Sequence, residues 1–288
     1  QEIEEFKITD DNILSAIKDI PSDSAPGPDG IPTILLKNCA AEFCVPLRLI
    51  WEESFERGCV PAFYKDTMIT PLYKKGDRTR AVNYRPVALT SHIIKIYERI
   101  LRGVMVDYVD RNELLCDNQH GFRSGRSCLT QLLSHVDDIV KGLINSADTD
   151  VAKAFDKVDH QLLLAKMRKL GFHEKLVKWI ESFLSNRKQS VVLDGVFSFA
   201  AVILSGVPQG TVLGPLLFII FINDMKLCVT GSIIRFFADD TRILRHIYSL
   251  QDADVLQKDL CRVIDWAKCN NMALHEDKFE LLVHRHSP

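Results

Sequence analysis

Residues 212–222 read "VLGPLLFIIFI", the longest apolar run in the chain. A helix that crosses a bilayer needs ~20 such residues. This run is far shorter and carries Gly214 and Pro215 near its start. It is therefore read as a helix that is apolar on every side and lies inside a core. Surrounding such a helix takes a chain of some size. With 288 residues, 47% of them hydrophobic and 26% charged, there is enough for a large core and two subdomains.

Lys and Arg number 36 against 38 Asp and Glu, a net charge of −2. No global positive charge exists, so any nucleic-acid contact has to rest on local clusters. Eight cysteines stand at 39, 44, 59, 116, 128, 228, 261 and 269. None forms a CxxC pair and no zinc spacing with His occurs, so they read as reduced thiols of an intracellular protein. The first residues, "QEIEEFKITDDN", are acidic and lack an apolar leader. A nuclear or cytoplasmic protein is expected, neither secreted nor in a membrane.

Periodicity places a short helix at 9–20, capped by Thr9 or Asp10, and a longer one at 33–58. Between them "PSDSAPGPDGIP", 21–32, is a structured turn or linker. A strand is expected over 67–77, leading to a basic turn, and helices over 91–111, 128–144 and twice within 160–186. Residues 189–207 read as a hairpin turning at Asp194-Gly195, and 252–274 as an amphipathic helix ending near Asn270-Asn271. The mixture implies an α+β architecture with a mainly antiparallel sheet.

Several stretches carry residue types suited to chemistry. "FFADDTRIL", 236–244, sets Asp239 and Asp240 between apolar runs. Two like charges side by side in a core are costly unless a divalent cation neutralises them. The plain alternative is an Asp-Asp hairpin turn. Asp150 offers a third carboxylate, with a helix N-cap as its alternative role. "SGVPQGTVLGPLLF", 205–218, is rich enough in Gly and Pro for backbone to approach a ligand, with Gln209 as the polar contact. It also fits an ordinary turn. "YKKGDRTRAVNYRPVAL", 73–89, gathers Lys74, Lys75, Arg78, Arg80 and Arg85, suited to a triphosphate or a nucleic-acid backbone, or simply to solvent. Lys278, in "LHEDKFELLV" at 274–283, says nothing by itself.

In this order and spacing the pieces resemble the reverse transcriptase domain of non-LTR (LINE-type) retrotransposons, over nearly the whole chain. "SAPGPDGIP" resembles the opening of that domain, and residues 69–101 its fingers motifs. "QHGFRSGRSCLTQLL", 119–133, resembles the stretch before the first palm motif. "DVAKAFDKVDH", "SGVPQGTVLGPLLF", "FFADD" and "LHEDKFELL" resemble the four palm motifs in turn. The resemblance implies a right-hand polymerase fold of fingers and palm, with a central antiparallel palm sheet flanked by helices. The N-terminal helix and fingers, with some palm elements, would occupy 1–135 and the palm 136–288.

The implied activity is RNA-directed DNA polymerase, with an RNA template, a DNA primer and dNTPs as partners. Asp150, Asp239 and Asp240 match the carboxylates that hold two Mg²⁺ ions, for which Mn²⁺ can substitute. Phe155 matches the aromatic that crowds the sugar 2′ position. Gln209 and Gly210 match the loop at the nucleotide and template, Lys74 and Arg85 the fingers residues at the triphosphate, and Lys278 a palm lysine at pyrophosphate.

Three departures qualify these expectations. The family runs an apolar strand into its first Asp, whereas "NSADT" precedes Asp150 here, directly after a helix read to 144. A shortened strand, and with it an impaired copy, is the expectation. His275 replaces a usual Asn. The sequence stops just past the fourth palm motif, so a missing thumb is also expected. The alternative function is an inactive retroelement remnant with at most nucleic-acid binding. An RNA-dependent RNA polymerase, to be told apart by dNTP against rNTP use, and a carboxylate metal nuclease are further rivals; the Phe155 gate and fingers motifs argue against the nuclease.

Overall fold

The computed structural model describes residues 7–141, 144–150, 154–272, 274 and 280–283. Its helices are α1 (Asp10–Lys18), α2 (Thr33–Asn38), α3 (Ala40–Glu56), α4 (His92–Arg111), α5 (Cys128–Lys141), α6 (Ala154–Lys157), α7 (His160–Lys169), α8 (Glu174–Leu184), α9 (Gly214–Ile222) and α10 (Leu250–Cys269). The strands are β1 (Asp66–Tyr73), β2 (Tyr84–Leu89), β3 (Ile144–Asp150), β4 (Arg187–Leu193), β5 (Val196–Phe197), β6 (Ala201–Ile203), β7 (Ile233–Phe237), β8 (Asp240–His246) and β9 (Glu280–Val283). The chain forms two compact units that interleave along it: Gln1–Arg111 with Leu164–Gly214, and Asn112–Leu163 with Pro215–Pro288. The sequence reading divides it once, at residue 135.

In the first unit, Thr9 caps α1 by accepting from the Asn12 backbone, and the Asn12 side chain returns the bond to the Thr9 backbone. The stretch read as one helix over 33–58 is two, α2 and α3, broken at Cys39. The "PGPDG" turn is pinned by the Ser91 hydroxyl, which donates to Asp29. Aromatic side chains build the core: Trp51 stacks on Tyr97 at 4.7 Å, and Tyr97 meets Trp179 edge-on at 5.0 Å. The Trp179 indole N–H donates to Ser54 at 3.0 Å, so its polar end is satisfied inside. Burial with no hydrogen-bond partner drives the Tyr97 phenol pKa far above its ordinary value.

The sheet of this unit runs β2-β1-β4-β5, with β6 also on β4. β2 lies within the segment read as a basic turn, because pairing with β1 outweighs its polarity. Pro86 is tolerated in β2 because that strand is an edge. The expected hairpin at 189–207 is present, with positive φ at both Asp194 and Gly195.

The second unit has an antiparallel sheet in the order β7-β8-β3-β9. The apolar run 212–222 becomes α9, with Leu216 to Ile222 all at most 2% exposed. α5 is tied to β7 by an ion pair, Arg235 Nε to Asp138 Oδ2 at 2.7 Å. One expectation is corrected here. The helix read to 144 stops at Lys141, and Ile144–Asp150 forms a seven-residue strand. Its sequence is a poor strand former, but β3 pairs with β8 on one side and β9 on the other. Backbone pairing on both edges decides the conformation over side-chain propensity. Among the described residues, no helix is long and apolar enough to cross a membrane.

Candidate active site

The acidic pair lies in a β-hairpin. β7 and β8 pair from Ile233 opposite Leu244 to Phe237 opposite Asp240, leaving Ala238 and Asp239 as a two-residue loop. Asp240 is therefore the first residue of β8, exposed, while Asp239 in the loop is half-buried. Asp150 closes β3, and in the β3–β8 ladder its register partner is Asp240. Directly opposed residues of an antiparallel pair stand ~4.5–5.5 Å apart, Cα to Cα. The ladder thus draws Asp150 to the end of β8 where Asp240 and its neighbour Asp239 stand, some ninety positions along the chain. A plain hairpin turn explains the loop but not this register.

Ala238 carries positive φ, +55°. Gly is the usual residue at the first position of such loops, and a residue with a Cβ costs roughly 1–2 kcal/mol there. The backbone just before Asp239 is therefore strained, and strain of this kind persists only where neighbours enforce it.

Phe155 in α6 belongs to the same unit. Its ring stacks on Phe218 of α9 at 4.3 Å and meets Phe122 edge-on at 6.0 Å. It is half-buried, so one part of the ring is locked by packing and the rest is reachable. Asp159, from the same "AFDKVDH" stretch, has a structural job. Its carboxylate accepts from the Leu162 backbone at 3.0 Å at the start of α7 and from the Asn271 side chain at 3.1 Å. The first of these bonds holds its pKa below the ordinary value.

Lys74, Arg85, Gln209 and Gly210 belong to the first unit. Arg85 pairs with Leu72 across the β1–β2 ladder, and just beyond the ladder the Lys74 N–H donates to the Asn83 carbonyl at 2.8 Å. Lys74 and Arg85 are exposed, as are Lys75, Arg78 and Arg80. The turn between the strands is built, not floppy: Asp77 accepts from Thr79, and Tyr73 and Tyr84 hydroxyls donate to the Gly76 and Arg78 carbonyls. Gly210 has φ +82°, and a Cβ there would lie 2.5 Å from the Ala88 carbonyl oxygen in β2. The Gln209–Gly210 loop therefore abuts β2 three residues beyond Arg85.

The sequence reading missed Glu98, which fixes that loop from below. It is fully buried in α4, and its Oε2 accepts from the Val212 and Leu213 backbone at 2.7 and 2.9 Å. Burial raises its pKa, opposed by those two bonds and by Arg187. A charged residue inside the helical stripe of "IIKIYERIL" was the available signal.

Among the described residues no three His, Cys, Asp or Glu side chains cluster as a metal group. The acidic residues at the Asp150–Asp240 end of the strands offer hard oxygen ligands, which suit Mg²⁺ or Mn²⁺ rather than soft metals. Partial exposure of Asp239 and Asp240 leaves access for a hydrated ion. These residues fit such a cation. Lys278 and His275 lie outside the described residues.

Comparison with known proteins bears on the whole arrangement. The family model described as reverse transcriptase (RNA-dependent DNA polymerase) matches residues 73–287. The chain belongs to the reverse transcriptase family. Its relatives come from non-LTR mobile elements. One is the probable RNA-directed DNA polymerase from transposon BS of Drosophila melanogaster, 30% identical over 90% of this chain and 30% of that protein. Another is the RNA-directed DNA polymerase from mobile element jockey of the same species, 31% identical over 94% of this chain and 31% of that protein. The Pol polyprotein from type-1 retrotransposable element R2 of Popillia japonica is 28% identical over 88% and 36%. This reverse transcriptase sequence thus spans about a third of the length of the relatives it matches. The family uses divalent metals, in line with the carboxylate set above.

Proposed function

We propose that this chain copies RNA into DNA, by attack of a primer 3′-OH on the α-phosphate of a dNTP. One observation carries the reading: the register that pairs Asp150 with Asp240 beside Asp239, within a member of the reverse transcriptase family. Asp150, Asp239 and Asp240 would hold two Mg²⁺ ions, with Mn²⁺ able to replace them. When bound, such ions lower the pKa of the attacking hydroxyl and neutralise charge on the leaving pyrophosphate.

The chain's own residues bind and orient. Lys74 and Arg85 place positive charge for the triphosphate, where positioning and electrostatics supply most of phosphoryl-transfer catalysis. Phe155, whose ring stacks on Phe218, would crowd a 2′-OH and so favour deoxynucleotides. Gln209 and Gly210 contact the nucleotide and template, and Lys278 steadies pyrophosphate. The RNA template and DNA primer are the partners this requires. The seven residues of β3 give the first carboxylate a paired strand, so the shortened-strand ground for an impaired copy falls away.

Primer extension on an RNA template with Mg²⁺ or Mn²⁺ tests the reading. dNTP incorporation is expected, and Asp239→Asn should reduce it at least about 100-fold, the scale of losing a metal ligand. Binding of nucleic acid without extension under either metal would instead identify an inactive remnant. Use of rNTPs in preference to dNTPs would identify an RNA polymerase.

A further inference from the structure

Residues 118–121, "NQHG", have no role in the reading above. In the structure they lie along β7. The Phe236 backbone N–H donates to the Asn118 carbonyl at 2.9 Å, and the His120 N–H donates to the Phe236 carbonyl at 3.0 Å. Gln119 sits between them, 4% exposed, in a parallel bridge to Phe236. Its side chain reaches past the end of β7 to the strained residue. The Ala238 N–H donates to Gln119 Oε1 at 3.1 Å, and Gln119 Nε2 donates to the Ala238 carbonyl at 3.4 Å. The same Oε1 accepts from the Gly121 N–H at 2.7 Å. Gly121 in turn allows the close approach, since a Cβ there would lie 2.4 Å from the Ala238 nitrogen.

We propose that Gln119 is the positioning residue of the acidic loop: its carboxamide grips both backbone polar groups of Ala238 and so fixes where Asp239 and Asp240 are presented. The grip requires an acceptor and a donor on one planar group at that reach. An ionised Glu accepts but cannot donate, and adds a like charge beside two carboxylates. Leu or Met does neither. The bonds hold a positive-φ residue without glycine, so the loop keeps one conformation where a glycine loop would sample several. The segment is itself anchored: the Cys116 N–H donates to Asn223 Oδ1 at 2.7 Å, and an Arg123 guanidinium N–H donates to the Cys116 carbonyl at 2.9 Å.

The proposal rests on reading Asp239 and Asp240 as metal ligands, so the experiment separates the two. The full chain is prepared as wild type, Gln119→Ala, Gln119→Glu and Asp239→Asn. Hydrogen exchange is followed in the peptide spanning Ala238, Mn²⁺ affinity by the spin-resonance signal of free Mn²⁺, and primer extension as kcat and dNTP KM. In Gln119→Ala, exchange in that peptide should rise at least about tenfold, as the Ala238 N–H loses its partner. Mn²⁺ affinity should fall about 10–100-fold, the usual loss on removing a group that orients metal ligands. kcat should fall with it while dNTP KM moves less than about threefold. Gln119→Glu, which keeps the acceptor, should lie between and decides the matter if the alanine variant fails to fold. A purely structural role would lower melting temperature and leave Mn²⁺ affinity of the folded protein unchanged; that result overturns the proposal. Mn²⁺ binding that survives Asp239→Asn overturns the ligand reading and this proposal with it. Mn²⁺ binding lost in Asp239→Asn, without extension by the wild type, sinks the polymerase reading alone, and the exchange and Mn²⁺ results still decide Gln119.

Discussion

Replacing Gly210 by Ala tests whether the Gln209–Gly210 loop owes its shape to backbone geometry. Two costs add. At φ +82° a Cβ is strained by roughly 1–2 kcal/mol. The added methyl would also lie 2.5 Å from the Ala88 carbonyl oxygen, so the loop or β2 must retreat by about 1 Å to reach ordinary contact. Overpacking of this kind costs roughly 1–3 kcal/mol. The sum is about 2–5 kcal/mol, or on the order of 10 °C in melting temperature for a unit of this size. Because β2 also carries Arg85, retreat of that strand should raise dNTP KM in the extension assay as well. Gln209→Ala is the control. It removes a half-buried side chain while leaving the backbone in place, so it should change KM with a melting shift under about 2 °C. A Gly210→Ala protein that melts with the wild type and keeps its KM would refute the close-approach argument.

Phe155→Ala should relax selection against rNTPs in competition assays and lose the Phe218 stack, worth about 0.5–1.5 kcal/mol beyond area burial. Unchanged dNTP preference would remove Phe155 from the sugar-selecting role. Asp252 caps α10 with Ser249 and pairs with Arg245 of β8, and these partners hold its pKa down to about 2. A carboxyl depressed in the folded state stabilises fully above its unfolded pKa near 4 and loses that contribution as pH falls toward 2. Acid unfolding followed by circular dichroism should therefore show wild type losing its margin over Asp252→Asn across pH 4 to 2. An equal gap at both ends would count against the cap.

Much of this molecule is written locally. The apolar run at 212–222 has to be buried wherever the chain goes, and α9 is. Asp194-Gly195 can turn a hairpin in any context, because both residues accept positive φ. The order of motifs from "SAPGPDGIP" to "FFADD" identified the family, since composition and spacing survive without knowledge of the fold. β3 was not legible. "NSADTD" is a poor strand former, and its placement between β8 and β9, where both backbone edges are paired, makes it a strand. The same ladder decides that Asp150 stands opposite Asp240, a register between residues ninety positions apart that no local pattern encodes. The partners of Glu98 and Gln119 were invisible for a related reason. Each acts through bonds to backbone of a distant loop, so its side-chain type alone carries no sign of its partner. The sequence determined which residues are available for chemistry. Tertiary pairing, which satisfies backbone groups across long loops, decided where those residues stand.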